Sequence, residues 1–179
     1  DFDDLLLNTA FLFENKPAVK QKYENMFKYV MIDEYQDTNY SQFKIINQIT
    51  ANHQRLCVVG DDDQAIYSWR GATIKNILNF EKDYKNVRVI KLENNYRSTQ
   101  PILQVANSLI KHNTERHEKE LQSNISGGNK PEVFVLDNES DESDFVAEEI
   151  KKMHREEKTA FNDIAVLYRT NAQSRVFER

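Results

Sequence analysis

Two adjacent carboxylates follow a run of bulky apolar residues near the start of the sequence. Residues 29–32 are bulky, and Asp33 and Glu34 come immediately after them. Such a run, ended abruptly by acid, predicts a buried parallel strand whose carboxyl end opens onto a ligand site. Asp33 could help to hold Mg²⁺, which prefers oxygen ligands, and Glu34 could orient or deprotonate an attacking water. The pair predicts a nucleoside-triphosphate site, unless Asp-Glu, with Asp37 or Thr38, only caps the next helix.

Three consecutive aspartates follow the next apolar segment. Residues 55–59 predict a second strand that ends at Gly60, and Asp61, Asp62 and Asp63 come directly after it. A run of this kind could bind a metal ion, but it more often forms a solvated turn. We therefore expect residues 61–63 to be turn residues.

An aromatic pair beside an arginine stands a few residues later. Exposed, Tyr67 and Trp69 with Arg70 would suit stacking on the bases of a single strand, which needs no sequence readout. Buried, the same residues would be part of the core. Trp69 is the only tryptophan, and its neighbours Ser68 and Arg70 are polar, which favours partial exposure.

Another arginine lies where a predicted strand gives way to a predicted helix. Residues 87–92 predict the strand, and Ser98 or Thr99 is expected to cap the helix. Arg97, beside the helix N-terminus, is well placed to meet a phosphate group. The alternative is a surface ion pair with Glu93.

The elements that must position these residues alternate between helical and extended patterns. The predicted helices cover residues 2–13, a segment after Pro17, a segment capped by Thr38 or Asn39, residues 74–80, a segment from Thr99, residues 146–153 and a segment from Ala172. The predicted strands are residues 29–33, 55–59, 87–92, 131–136 and 164–167, the last of them fully buried. The strand–helix–strand order predicts an α/β fold with parallel pairing.

Composition limits the class of protein. The 179 residues are 39% hydrophobic and 30% charged, which is typical of a soluble globular protein, and no run is long enough to span a bilayer. The net charge of -5 argues against nucleic acid for this chain taken alone. Cys57, the only cysteine, lies in an apolar run and is expected to be buried and unreactive, which suits a reducing cytoplasm.

One component of a nucleotide site is missing from the sequence. The chain has four glycines, and no Gly-rich loop followed by Lys-Ser or Lys-Thr occurs in it. The chain also opens at Asp1 and stops at Arg179 inside helical patterns. We therefore expect it to be a segment of a longer protein that supplies the phosphate cradle elsewhere.

Several motifs, in order and at characteristic spacing, resemble those of the UvrD/Rep/PcrA family of superfamily 1 DNA helicases, particularly its PcrA branch in Gram-positive bacteria. The matching segments are residues 1–5, 33–39 with Gln42, 59–72, 95–98 and 167–175. A lone Asp-Glu is a weak signal, whereas this ordered set is highly specific. The resemblance runs the whole length of the chain.

The resemblance implies roles in ATP hydrolysis. Asp33 would be the Mg²⁺ carboxylate and Glu34 the catalytic base. Gln64 would sense the γ-phosphate and link it to the DNA groove. Tyr96 would stack on the adenine, and Arg97 would be an arginine finger that reaches the γ-phosphate.

It also implies a DNA-binding surface. Tyr67 and Trp69 would stack on single-stranded bases, with Arg70 nearby. Gln64 and Trp69 are five residues apart, roughly 8 Å along a helix. One short rigid turn could then present one residue to phosphate and the other to a base.

At the level of the fold, the resemblance implies RecA-like parallel sheet pieces flanked by helices, a partial P-loop NTPase helicase core. Residues 1–96 would be the C-terminal part of the first RecA-like domain, without its Walker A loop, and residues 97–179 the N-terminal part of the second. The expected function is that of a fragment of an ATP-dependent 3′→5′ DNA helicase of a bacterial cytoplasm, acting in replication or repair. Its cofactors would be ATP and Mg²⁺. Its partners would be single-stranded or partly duplex DNA and the rest of the helicase chain with its inserted subdomains, with no membrane involved, and the fragment alone would be inactive.

Two other functions remain open on the residues alone. One is a metal-dependent nuclease that uses residues 61–63. The other is a non-catalytic interaction module whose acidic face, residues 137–157, binds a basic partner. Neither explains the ordered set of motifs.

Overall fold

A computed structural model of the chain describes residues 1–178, and Arg179 lies outside the described residues. The chain divides into two compact units, Asp1–Lys130 and Pro131–Arg179. The predicted domain boundary after residue 96 falls inside the first unit and stays a prediction.

Three helices form most of the packed part of the first unit: α1 (Phe2–Asn15), α2 (Pro17–Met26) and α3 (Tyr40–Thr50). Pro17 opens α2, as expected from its fixed φ. Asn39, and not Thr38, caps α3, because its side chain accepts from the Gln42 amide while Gln42 reaches back to the Asn39 amide. Ala10 and Phe13 of α1 and Ile46 of α3 are buried in the core of this unit.

The first sheet is a parallel pair, β1 (Val30–Ile32) and β2 (Leu56–Val58), joined through α3. The predicted parallel pairing is confirmed. The ladder continues past both strands, since the Val59 amide donates to Ile32 O at 2.8 Å and the Tyr35 amide donates to Val59 O at 3.0 Å. The carboxyl ends of the two strands therefore lie side by side.

The prediction that Cys57 is buried was wrong. Cys57 is exposed, and so is Met31, its partner across the strand pair. Successive side chains of a strand point to opposite faces of the sheet, and these two lie on the face turned to solvent. Both strands are consequently half-buried at most.

The residues after the carboxylates are anchored by two short helices, α4 (Lys75–Leu78) and α5 (Phe80–Asp83), where one helix was predicted. Tyr35 is fully buried and meets Phe80 edge to face, with 5.7 Å between the ring centroids. The Asn76 side-chain amide donates to Thr38 O at 3.1 Å and to Thr38 Oγ1 at 3.0 Å. These contacts fix the chain that leaves β1.

The rest of the first unit differs from the prediction. The extended residues 87–92 form no strand; β3 (Asn94–Asn95) follows them, then α6 (Gln100–Ile110) and β4 (Gln122–Ser123). β3 and β4 pair in parallel, so residues 112–130, for which no helix or strand was predicted, contain a strand. Thr99 occupies the N-cap position of α6, without a side-chain capping bond.

The second unit contains α7 (Glu139–Glu156) and α8 (Asn171–Phe177), which pack on each other. Both predicted strands of this unit, residues 131–136 and 164–167, are wrong: their backbones find no ladder partner within residues 1–178. Leu167, expected to be buried, is 93% exposed. None of the helices described for this chain has the length and apolar character that a membrane crossing requires.

Candidate nucleotide and nucleic-acid site

Asp33 and Glu34 lie exposed at the carboxyl end of β1. Glu34 adopts a left-handed backbone with φ 49°, and its amide donates to Asp33 Oδ1 at 2.9 Å. This conformation is uncommon for a residue other than glycine and is enriched at functional sites, although Gln54, Asn86 and Lys158 also adopt a positive φ in this chain. Neither side chain caps a helix, because the turn that follows has no side-chain cap and Asn39 caps α3. The alternative that this pair only caps the next helix is therefore not supported.

Gln36 joins the ends of the two strands, and it was not among the predicted site residues. Its side chain is 1% exposed. Its Nε2 donates to Glu34 Oε2 at 2.8 Å, and its Oε1 accepts from the Asp61 amide at 3.0 Å. Gln36 thereby orients Glu34 and ties it to the segment after β2.

Gly60 makes room for this contact. A β-carbon at position 60 would lie 2.6 Å from Gln36 Oε1 and 2.9 Å from Ile77 Cδ1. A glycine at the end of a strand often marks a close approach of this kind. That glycine, together with the position of Gln36 inside the motif at residues 33–39, is a signal in the sequence that could have pointed to Gln36.

Gln64 joins the same chain of hydrogen bonds through Asp61. Gln64 Nε2 donates to Asp61 Oδ2 at 2.7 Å, and Asp61 Oδ1 accepts from the Asp63 amide at 3.1 Å. The structure thus connects Glu34, Gln36, Asp61 and Gln64 in one network, which we call the Glu34–Gln64 network. The expected base and the expected γ-phosphate sensor are linked through two intermediates and do not bond to each other.

The three aspartates are paired with cations, which corrects the expectation of a solvated turn. Asp62–Gln64 is a 3-10 turn, but Asp62 is buried. Lys119 Nζ lies 2.8, 2.6 and 3.0 Å from one oxygen each of Asp61, Asp62 and Asp63. Arg116 binds Asp63 through two nitrogens, at 2.7 and 2.8 Å. The Lys119 ammonium fills the position between the carboxylates that the nuclease hypothesis needs for a metal ion, so that hypothesis is unsupported.

Charge pairing sets the protonation of this cluster. The hydrogen bond from Arg116 holds the pKa of Asp63 below its usual value, although burial acts in the opposite direction. Burial alone would lower the pKa of Lys119, but hydrogen bonds from its ammonium to the three aspartates outweigh burial and raise it. The stabilisation from Asp63 is present above its ordinary pKa and is lost as the pH falls through the lowered pKa. Asp63 and Lys119 are therefore both charged at neutral pH.

The aromatic pair is exposed rather than part of the core. Trp69 is 73% exposed and lies in a 3-10 turn, Ser68–Arg70, which ends at Gly71 with φ 84°. The Arg70 guanidinium lies 4.5 Å from the Trp69 ring centroid and 5.1 Å from that of Tyr67. The expected partial exposure of Trp69 is confirmed, and its contact with DNA stays a prediction.

The path from Gln64 to Trp69 differs from the single turn expected. Two separate 3-10 turns, Asp62–Gln64 and Ser68–Arg70, replace one helical turn. The chain just after the second turn is hydrogen-bonded to the segment that follows β1, because the Thr73 amide donates to Thr38 O at 3.1 Å. An open depression beside it is lined by Asp3, Asp37, Asn39, Gln42, Tyr67 and Arg70. Tyr67 and Arg70 thus border the chain that follows the carboxylates.

Tyr96 and Arg97 project from the turn between β3 and α6. Tyr96 is 74% exposed, and Asn95 Oδ1 accepts from the amides of Arg97 and Ser98 at 2.9 and 2.8 Å. Arg97 forms no ion pair with Glu93 in the described part of the chain; Glu93 accepts from the Glu120 amide instead, at 3.0 Å. No hydrogen bond among residues 1–178 joins Arg97 to the Glu34–Gln64 network. The two groups of predicted ATP residues are thus present but not in contact.

Comparison with known proteins identifies the family of the chain. The UvrD/REP helicase N-terminal domain model matches residues 1–85, and the UvrD-like helicase C-terminal domain model matches residues 90–179. The chain is 52% identical over 178 residues to the ATP-dependent DNA helicase PcrA of Bacillus subtilis (strain 168) and 51% identical to that of Staphylococcus aureus (strain NCTC 8325 / PS 47). These alignments cover 99% of this chain and 24% of each relative, so the chain spans about a quarter of their length. The chain therefore belongs to the UvrD/Rep family of helicases, with its first half matching the N-terminal domain of that family and its second half the C-terminal domain.

Proposed function

We propose that this chain is part of an ATP-dependent DNA helicase that couples hydrolysis of Mg²⁺-ATP to 3′→5′ movement along single-stranded DNA in the bacterial cytoplasm, during replication or repair. One observation carries the proposal. The Glu34–Gln64 network ends at Asp61 and Gln64, on the segment that continues directly to the exposed ring of Trp69. A group expected to sense the γ-phosphate and a group suited to stacking on a base therefore share one short stretch of chain, and hydrogen bonds connect that stretch to Glu34.

On the ATP side, the carboxylates fit their proposed roles. Asp33 is exposed at the end of a parallel strand, where ligands of α/β sheets bind. The described residues hold no cluster of three His, Cys, Asp or Glu side chains arranged for a metal, so Mg²⁺ would rest on Asp33 with phosphate and water oxygens, as is usual for this ion. The ion would neutralise charge on the phosphates. Glu34, oriented by Gln36, would take the proton of the attacking water.

The remaining ATP residues act from other segments in this proposal. Gln64 senses the γ-phosphate, Tyr96 stacks on the adenine and Arg97 reaches the γ-phosphate. The partial fold would be RecA-like, with residues 1–96 and 97–179 as pieces of two such domains. The phosphate cradle and the inserted subdomains would come from the rest of the protein.

On the DNA side, stacking offsets the unfavourable net charge of the chain. Single-stranded DNA is bound by aromatic faces together with cations, without readout of sequence. Trp69, Tyr67 and Arg70 provide both features on an exposed surface. Single-stranded or partly duplex DNA is therefore the proposed substrate.

The first test removes the stacking group. Trp69→Ala in the intact protein should weaken binding to oligo-dT by about ten- to a hundredfold, because stacking on a base contributes about 1–3 kcal/mol. DNA-stimulated ATPase and unwinding should fall more than basal ATPase, since basal turnover needs only the phosphate side of the segment. Fluorescence anisotropy with labelled oligo-dT measures the affinity.

Tyr29, the residue before β1, provides a matched control. Tyr29 is 75% exposed, and the Arg55 guanidinium lies 5.6 Å from its ring, so Tyr29→Ala removes a comparable pair. That variant should bind oligo-dT normally. The stacking role fails if Trp69→Ala unfolds the protein, or if Trp69 emission, with other tryptophans removed, is blue-shifted and indifferent to oligo-dT.

The second test concerns the 179-residue chain alone. It lacks the backbone cradle and the lysine that hold the β- and γ-phosphates, so it should be unable to assemble the transition state. A steady-state ATPase assay with single-stranded DNA should show no turnover above the blank. Clear turnover in a preparation free of contaminating ATPases would contradict the proposal.

The acidic-module hypothesis gains no support from α7. Its acidic residues are partly neutralised within the helix, since Lys151 pairs with Glu148 at 2.8 Å and Lys152 with Glu149 at 3.5 Å. A helix with such pairs is an ordinary solvated surface helix. The helicase proposal alone uses both matched family domains.

A further inference from the structure

A cluster of largely shielded charges joins the two family segments, and the mechanism proposed above makes no use of it. Asp61, Asp62 and Asp63 belong to the segment that matches the N-terminal domain, whereas Arg116 and Lys119 belong to the segment that matches the C-terminal domain. We call these five residues the Lys119 clasp. All of them lie in the first compact unit.

The clasp is largely shielded from solvent. The side chains of Lys119 and Arg116 are 14% and 10% exposed, and that of Asp62 is 4% exposed. The His117 amide also donates to Asp62 Oδ2. Replacing buried ion pairs by apolar residues is often neutral or stabilising, so stability alone is a weak reason for a cluster that is shielded to this extent. A role in holding one particular geometry explains it better.

That geometry leads directly to the Glu34–Gln64 network through Asp61. One carboxylate oxygen of Asp61 binds Lys119 Nζ at 2.8 Å, and the other accepts from Gln64 Nε2 at 2.7 Å. The Asp61 amide donates to Gln36 Oε1, and Gln36 donates to Glu34. Asp61 therefore lies between Lys119 on one side and both Gln64 and Glu34 on the other.

Loss of the lysine would disturb this arrangement for an electrostatic reason. Without its ammonium, three adjacent carboxylates repel one another in a partly desolvated site. Asp61 would then turn away from its neighbours. That movement would break its contact with Gln64.

We infer that Lys119, supported by Arg116, is a positioning residue for ATP hydrolysis. It holds Asp61 so that Gln64 and Glu34 keep their relative places, and it makes turnover depend on the position of the loop around residues 112–121. The inference rests on the proposed function. It adds a path by which the segment matching the C-terminal domain acts on Glu34, the proposed catalytic base, in the segment matching the N-terminal domain.

The test uses Lys119→Met in the intact protein. DNA-stimulated kcat should fall roughly 5- to 100-fold, the range typical of coupling between linked sites. KM for ATP and affinity for oligo-dT should change little. Lys119→Arg, which keeps the charge, should restore most of kcat, and Lys119→Gln, which keeps a donor without charge, should not. Lys44→Met, which removes an ion pair with Glu14 away from the network, is the matched control and should behave as wild type.

A double-mutant cycle separates positioning from general stability. If Lys119 acts through Gln64, Lys119→Met should have little further effect in a Gln64→Ala background, because the two changes break the same link. Fully additive losses, or wild-type kcat in Lys119→Met, would overturn the inference. So would loss of folding in both Lys119→Met and Lys119→Gln, since the clasp would then be structural. A wild-type protein without any DNA-stimulated ATPase would instead overturn the proposed function.

Discussion

Replacement of Arg97 by alanine in the intact protein is expected to lower kcat for ATP hydrolysis by about 10³–10⁵-fold, the contribution of an arginine finger. The melting temperature should change little, because the exposed Arg97 side chain enters no ion pair within the described residues and its backbone is held by Asn95. In the proposed mechanism the guanidinium matters only when charge develops on the γ-phosphate. Single-turnover ATPase and differential scanning fluorimetry measure the two quantities.

The Arg97 prediction has two controls. Arg97→Lys should recover little activity, because an ammonium lacks the planar fork that binds phosphate oxygens in pairs. Arg88→Ala removes another exposed arginine nearby and should leave kcat unchanged. A large drop in melting temperature with nearly normal kcat in Arg97→Ala would make this arginine structural.

Glu34→Gln should lower ATP turnover by about 10²–10⁴-fold, the usual share of a general base. The substitution keeps the size of the side chain, and its carbonyl oxygen can still accept the hydrogen bond that Gln36 donates to Glu34. Binding of ATP and DNA should therefore survive. Single-turnover hydrolysis measures the loss, and a fluorescent ATP analogue and labelled oligo-dT measure the binding.

Glu93→Gln is the matched control for this variant. Glu93 is another exposed glutamate whose carboxylate accepts one hydrogen bond, from the Glu120 amide. Its replacement should leave turnover unchanged. Normal turnover in Glu34→Gln would show that Glu34 has only a local role in the turn.

The parts of the fold that could be predicted depend on local signals. The cap of α3 at Asn39 and the proline that opens α2 each depend on only a few neighbouring residues. The strand–helix–strand order through α3 allowed the parallel pair β1–β2 to be predicted. The apolar runs at residues 87–92, 131–136 and 164–167 were misleading. An apolar run becomes a strand only when a neighbouring strand pairs with its backbone, and nothing in the run itself specifies that neighbour.

The residues of the candidate site also divide into those that have a local sequence signal and those that do not. Asp33, Glu34, Gln64 and Trp69 could be named from motifs that are continuous in sequence. Lys119 could not, because it meets Asp62 across 57 residues and nothing near it in sequence indicates three carboxylates. Three aspartates in a turn predict a solvated surface, because the cations that pair with them are far away in sequence.

The shielding of the Lys119 clasp has a consequence for the response of the protein to ionic strength. Dissolved salt screens exposed charges strongly and largely buried pairs much less. Lys119 and Asp62 are mostly out of the reach of solvent ions, whereas contacts between exposed cations and DNA phosphates release counterions and weaken steeply as salt rises. In the proposed helicase, a rise in salt would therefore weaken binding of the nucleic acid while the shielded charges stay paired, so the link from Lys119 to Glu34 would persist under conditions that detach the DNA.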